Sequence, residues 1–215
     1  MPRQKKAAII VVGGGGHAKV LISVLKKTGK LEVAGYTDVR NAGELLGVPY
    51  LGTDSVLEEM IAVNPSCCAV IGVGKVGLTD NRMQIFARLV EMGFRLTAVI
   101  SPHAVVNEEA TVGDGTVVFD GVVINTGSRI GRAAIINTNS TIEHDCAIGD
   151  NVHVAPGASL SGGVQVGDNC MIGTGVGVIQ GIRICCDCLI GAGAVVVKDI
   201  TVSGVYVGNP AKKIK

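Results

Sequence analysis

The sequence predicts a small parallel α/β domain followed by a parallel β-helix, and three observations carry that reading. First, an apolar, mostly β-branched residue recurs every six positions from Val106 through Val118, Ile130, Ile142, Val154, Val166, Val178 and Ile190 to Val202, without a break in 17 hexads. A period of six fits neither a helix, near 3.6, nor a long strand, at 2. It fits very short strands joined by tight corners. Second, the residue two places before each marker is small or β-branched, as at Ala104, Ala134, Ser140, Cys146 and Ala194, so both slots point into one narrow core. Third, before this region, apolar runs that read as strands alternate with helical patterns.

The remaining slots of the hexad specify the corners. One slot is Gly, Asn or Asp in 14 of 17 hexads, among them Gly115, Gly121, Asn139, Asp145, Asn151, Asn169 and Asp187. These residue types tolerate positive φ best. Three corners close a triangle of 18 residues per coil, giving five to six coils and, at a strand spacing of about 4.8 Å, a prism roughly 25–30 Å tall. The outward slots sort into three faces. One carries Val117, Ile135, His153, Met171 and Leu189; the second carries Val105, Val123, Thr141, Ser159, Gly177 and Val195; the third carries Thr111, Arg129, Ala147, Gln165, Arg183 and Thr201. The first two are apolar or small and are expected to meet neighbouring subunits of a cyclic trimer; the third is expected to face solvent.

In the first hundred residues, Ala7–Val12 reads as a buried strand, Gly13–Gly16 as a turn, and His17–Thr28 as a helix with Val20, Leu21, Val24 and Leu25 on its apolar face. Further strands are expected near Val33–Thr37, Ala69–Val73 and Arg95–Val99. Helices are expected from Ser55 to about Ala62, opened by a Ser55–Glu58 capping box, and over Thr79–Met92. The domains therefore read as 1–100, Rossmann-like, and 101–215, the β-helix with a C-terminal tail.

Composition narrows the function. The formal net charge of +1 suggests no polyanionic partner, and 3% aromatics with no Trp weaken base or sugar stacking. Met1–Lys6 is basic, but the apolar run after it is too short for a signal segment, and no run reaches the ~18 residues of a membrane span. The expectation is a soluble cytoplasmic protein with its seven cysteines reduced. Cys185, Cys186 and Cys188 invite a metal reading, but Cys146, Cys170 and Cys188 occupy the inward small-residue slot, and the two C-x₂-C pairs of a zinc site are lacking.

Two places have the makings of chemistry. The Gly13–His17 turn offers backbone N–H groups at a helix N-terminus, suited to phosphate, and Asp38 at the end of the second strand is placed for a ribose or base. The glycines match the dinucleotide fingerprint imperfectly, and no motif for hydride transfer follows, so a nucleotide-containing ligand is favoured over a redox dinucleotide. In the β-helix, Glu143-His144-Asp145 places an imidazole between two carboxylates at a corner, an arrangement suited to a general base and equally to a solvated turn. His103 is a turn residue, and His153 is a histidine in a slot otherwise occupied by aliphatic side chains.

These segments together resemble one family. The Gly13–Val20 opening, Asn137-Thr138, Ile142–Cys146, His153–Gly157, Ser161–Gly163 and the ending Val207–Lys212 are similar to the acetyltransferases that act on sialic acids or on nucleotide-linked 4-amino-sugars. The resemblance implies a left-handed β-helix, a homotrimer, acetyl-CoA as co-substrate and no metal. It implies His144 as catalytic base with Asp145 as its support. It also implies His153, Gly162, Thr174 and Ala192 as acetyl-CoA contacts, and Gly15, Gly16, His17, Thr37, Asp38, Gly72 and Asn137 as nucleotide-sugar contacts. The Gly162 N–H is the implied oxyanion donor. The chain departs from the family pattern in a longer loop at Lys75–Asp80 and in Gln180, where a proline is usual.

The leading expectation is N-acetylation of the C4 amine of a nucleotide-linked 4-amino-4,6-dideoxy-sugar in surface glycan biosynthesis. The alternatives are O-acetylation of a sialic-acid-like sugar, or a non-catalytic nucleotide-binding trimeric scaffold. Neither nucleic-acid binding nor membrane insertion is expected. Because half a coil separates His144 from His153, a site using both is expected to form between subunits.

Overall fold

The computed structural model describes residues 7–215, so the basic stretch Met1–Lys6 lies outside the described residues. Strand β1 (Ala8–Val12) is followed by helix α1 (Gly16–Thr28), β2 (Glu32–Thr37), β3 (Tyr50–Gly52), α2 (Leu57–Val63), β4 (Cys68–Ile71), α3 (Asn81–Glu91) and β5 (Arg95–Leu96). The five strands form one sheet in the order β3-β2-β1-β4-β5, with every pairing parallel. β1 is wholly apolar because both its faces are covered. The chain reverses its winding at β1 and β4, so the turns after these strands, Gly13–Gly16 and Gly72–Gly74, share one crevice at the carboxyl edge of the sheet, where open α/β folds bind ligands.

Several local expectations change. The α1 face turned to the core is Ala18, Leu21, Ile22, Val24 and Leu25, whereas Val20 is exposed. β3 has no counterpart in the sequence reading. The Ser55–Glu58 capping box does not form: a short 3-10 turn at Asp54–Val56 leads into α2, and the Ser55 hydroxyl bonds Thr53 instead.

From Val99 onward the chain winds as a triangular prism of two- and three-residue strands in three parallel sheets, each strand pairing with the one 18 residues away. The prism begins two residues before Ser101, because Val99–Ile100 already pairs with Val117–Val118. The hexad markers and the small slots before them form a single buried core. The corner slot has positive φ in every hexad from Glu109 to Gly193, including Glu109 at 60° and Ala133 at 51°. Thus the coil imposes the left-handed conformation even where the residue type disfavours it, at a cost of roughly 1–2 kcal/mol. The last coil is closed by Gly204–Val207, which pairs with Cys188–Ile190, and by Lys212–Lys213 running back antiparallel.

The face carrying Val117, Ile135 and His153 is not open for a neighbouring subunit. Val117, Phe119 and Ile135 are fully buried in the cluster formed by α1, β1 and β2 of the same chain. Higher on this face, the loop after β4 lies across the prism: the Gly77 N–H meets Met171 Sδ at 3.0 Å, and Lys75, itself buried, donates to Asn169 Oδ1 at 2.6 Å. The expected intersubunit stripe is therefore an intramolecular contact. Its apolar residues each gain about 1.5–3 kcal/mol from burial, which the N-terminal domain supplies as well as a second subunit would. Arg82 of α3 seals this contact from a buried position, donating to the carbonyls of Ile71, Val73 and Ala133. At the far end, Lys27 pairs with Asp120 at 2.6 Å.

Candidate active site

His144 stands in the turn after the strand Thr141–Ile142 of the small-residue face, at the edge shared with the polar face. The left-handed turn at Asp145, φ 60°, brings its carboxylate back against the preceding imidazole, with Nδ1 to Oδ2 at 2.8 Å. Because a carboxylate only accepts, Nδ1 carries the proton, and the lone pair of a neutral ring is on Nε2. Nε2 accepts from no group among the described residues, and both side chains are exposed. Glu143 turns the other way, accepting from Asn125 Nδ2 at 2.8 Å, and Asn107 extends the same ladder downward. Of the two carboxylates beside His144, only Asp145 supports it.

The Nε2 end of the ring lies against Gly162, which occupies the same corner position one coil later. A Cβ on Gly162 would stand 2.5 Å from His144 Nε2 and 2.6 Å from its Cε1. Only glycine leaves this space, and the Gly162 N–H has no acceptor among the described residues. Base and unpaired donor therefore share one corner, the arrangement needed to take a proton and stabilise a developing oxyanion together. The coil-to-coil bond from Gly163 N–H to the His144 carbonyl, 2.9 Å, fixes their spacing.

Thr174 and Ala192 lie elsewhere. They are exposed, stacked one coil apart on the edge between the small-residue face and the covered face. Within one chain, Gly162 and this pair flank opposite sides of the small-residue face. Asn137 starts the same edge: its Oδ1 accepts from the Thr138 N–H at 2.8 Å, and its Nδ2 meets His153 Nε2 at 3.2 Å. His153 Nδ1 meets the Lys75 carbonyl at 2.8 Å, so it carries the proton and Nε2 accepts from Asn137. His153 is thus buried beneath the Lys75 loop and reaches the edge only through Asn137. Burial holds its pKa below the ordinary histidine value.

In the N-terminal domain, the open feature is the start of α1. Gly14, Gly15, Gly16 and Lys19, with Ala42, Glu44, Leu45 and Leu46 opposite, line a concavity of about 370 Å³. Gly15 caps the helix without a side chain, and no acidic residue stands in the first turn, so Glu44 on the opposite wall is the carboxylate that lines the concavity. Asp38 fixes the glycine turn, accepting from the Gly14 N–H at 2.6 Å and the Arg40 N–H at 3.0 Å. Thr37 is fully buried and donates to Asp54 Oδ1 at 2.6 Å, so it braces the strand end. Gly72 is buried too; a Cβ there would meet the Gly13 carbonyl at 2.7 Å, which makes it the close-approach point between the two turns of the crevice.

His17 departs furthest from its expected place. Its ring turns away from the glycine concavity and packs edge-on against Phe119 of the prism, with centroids 5.3 Å apart, and Nε2 is buried without a partner. Burial, then the charges of Arg82 and His153, push its pKa down to about 3. The sign follows directly: the unfolded chain binds this proton near pH 6.5 and the folded chain does not, so His17 favours folding above pH 6.5. That contribution is lost as pH falls towards 3, at up to about 1.4 kcal/mol per pH unit. Melting temperature is expected to fall between pH 6.5 and 4, and His17→Gln is expected to flatten that slope; an unchanged slope would contradict the assignment.

Comparison with known proteins agrees with this geometry along the whole chain. Residues 8–89 match the PglD N-terminal domain, and residues 127–162 and 145–180 match the bacterial transferase hexapeptide repeats. The perosamine N-acetyltransferase of Caulobacter crescentus, solved as a histidine-to-asparagine variant with CoA and GDP-perosamine, is 37% identical. It superposes with a TM-score of 0.90, and the match covers 97% of each chain. The chain belongs to the hexapeptide-repeat N-acetyltransferases of nucleotide-linked amino-sugars. The acetyltransferase domain of PglB from Neisseria gonorrhoeae FA1090 is 34% identical with a TM-score of 0.90, covering 97% of this chain and 100% of that one. The GDP-perosamine N-acetyltransferase of Escherichia coli O157:H7 is 34% identical over 81 residues, a stretch that spans 38% of this chain and 37% of that protein. Among the described residues no group of side chains is arranged to hold a metal ion, and no helix is long and apolar enough to cross a membrane.

Proposed function

We propose that the protein transfers the acetyl group of acetyl-CoA to the C4 amine of a nucleotide-linked 4-amino-4,6-dideoxy-sugar, with a GDP-sugar as first choice because the E. coli and C. crescentus relatives are enzymes of GDP-perosamine. The observation that carries the reading is the His144–Asp145 pair, whose free Nε2 lies over Gly162. His144 Nε2 takes a proton from the attacking amine, and Asp145 stabilises the imidazolium. The Gly162 N–H meets the oxyanion. Acetyl-CoA supplies an activated acyl group with a good thiolate leaving group, so no nucleophile of the chain is required.

The nucleotide reading rests on the α1 N-terminus with Lys19 beside it, a place for a diphosphate that a free sialic acid would not use. Asp38→Ala is expected to loosen the glycine turn and raise KM for the nucleotide-sugar about 10–100-fold, the range for a lost charged hydrogen bond, while KM for acetyl-CoA stays nearly constant. Equal changes in both constants would show the turn to be structural only.

The working assembly is a cyclic trimer closed through the small-residue face, the remaining apolar face once the covered one is removed. Such a trimer sets the His144 edge of one chain beside the Asn137–Thr174–Ala192 edge of the next, bringing together the two halves that one chain holds apart. His144→Ala and Asn137→Ala variants, each inactive alone, are then expected to recover activity when mixed under subunit exchange. Failure to complement, with mixed trimers demonstrated, would place the site within one chain.

A further inference from the structure

The last full coil carries a thiol cluster that acetyl transfer does not use. At the corner between the polar face and the covered face, the residue after each strand is glycine in four successive coils: Gly113, Gly131, Gly149 and Gly167. The reason is steric, since a Cβ on Gly167 would lie 2.6 Å from the Cys186 nitrogen of the coil above. In the next coil this position is Cys185, where the prism is ending and a side chain fits. Cys185 opens a Cys-x-x-Cys segment whose second cysteine, Cys188, occupies the inward slot.

The two sulfurs stand 3.5 Å apart, both as thiols. The corner is held from below by Cys170, which donates to the Cys185 carbonyl at 3.1 Å and accepts from the Cys188 N–H at 3.4 Å. Access is one-sided. Cys185 is half-buried and lines a concavity on the polar face, whereas Cys188 is fully buried. With no metal-holding cluster among the described residues, two-electron thiol chemistry is what this arrangement offers.

We propose that Cys185 and Cys188 form a reversible dithiol–disulfide couple that clasps the last coil of the prism. A small disulfide, RSSR, is the oxidant. The Cys185 thiolate attacks one sulfur of RSSR, the S–S bond breaks, and RS⁻ leaves, giving a Cys185–SR mixed disulfide. Cys188 loses its proton to solvent and its sulfur attacks Cys185 Sγ, expelling the second RS⁻. Two protein thiols and RSSR become one protein disulfide and two RSH, with two electrons passing to the small disulfide. Burial, and then the Cys185 thiol beside it, push Cys188 up to about 12, so it resolves the mixed disulfide and does not begin the reaction. Ring closure therefore quickens as pH rises from 7 to 9, with the thiolate fraction.

The test uses the whole protein treated with glutathione disulfide, trapped with iodoacetamide and mapped by peptide mass spectrometry. The wild type is expected to give a Cys185–Cys188 disulfide that dithiothreitol reverses, and Cys186→Ser is expected to behave identically. Cys188→Ala, an alanine in a slot that already holds Ala134 and Ala194, is expected to stop at glutathione on Cys185. Cys185→Gly restores the residue of the four coils below, keeps the fold, and is expected to leave Cys188 unmodified. A persistent glutathione adduct on wild-type Cys185 without ring closure, no reaction at Cys185, or a bridge that instead uses Cys186 would overturn the proposal. None of these outcomes depends on the acetyl-transfer reading.

Discussion

Replacing His144 with alanine is expected to lower kcat/KM by about 10²–10⁴, the range for a lost general base, with the fold intact and KM for acetyl-CoA little changed. The effect is large because, among the described residues, no other basic group shares the corner. Asp145 only accepts from Nδ1, and Glu143 is engaged by Asn125. Asp145→Asn is expected to be milder, since it leaves an imidazole over Gly162 but with the tautomer less firmly fixed. Steady-state kinetics with both substrates varied separates these cases. Near-normal turnover by a folded His144→Ala variant would remove this residue from the mechanism.

The second large effect is expected at a residue that bears no chemistry of its own. Gly162→Ala places a methyl group 2.5 Å from His144 Nε2, so the ring must leave its position. Loss of the aligned base is expected to reduce kcat by roughly 10²-fold or more, while KM for the nucleotide-sugar changes little. Stability is expected to hold, because Gly162 is not among the positive-φ residues. Its neighbour Gly163 gives the opposite result. There φ is 70°, so Gly163→Ala is expected to cost about 1–2 kcal/mol in stability. If Gly162→Ala kept full turnover, the ring would not need its present place.

The prism was legible in the sequence because its geometry constrains every hexad in the same way, down to the corner slot. Glu109 and Ala133 show the limit of that signal, since their left-handed backbone comes from the coil and not from the residue. The α/β order was legible from apolar runs and glycine turns, but β3 was not, because three residues carry too little pattern to mark a strand. The covered face was misread for a physical reason: Val117 and Ile135 look the same whether a second subunit or the chain's own α1 buries them. His17 was hidden likewise, since a histidine after four glycines suggests a ligand contact and nothing local shows that it packs on Phe119, a hundred residues on. By contrast, the Gly162–His144 stack could have been found by aligning the 18-residue coils, which places this glycine directly after the histidine in one column.

The most direct test of the central claim is incubation of the purified protein with acetyl-CoA and a GDP-linked 4-amino-4,6-dideoxy-sugar, following CoA thiol release and identifying the sugar product by mass spectrometry and NMR. The account predicts one CoA released per acetyl group gained, the acetyl on the C4 nitrogen, and loss of both signals in His144→Ala. Acetyl found on a hydroxyl, CoA release without sugar acetylation, or equal product from His144→Ala would contradict it.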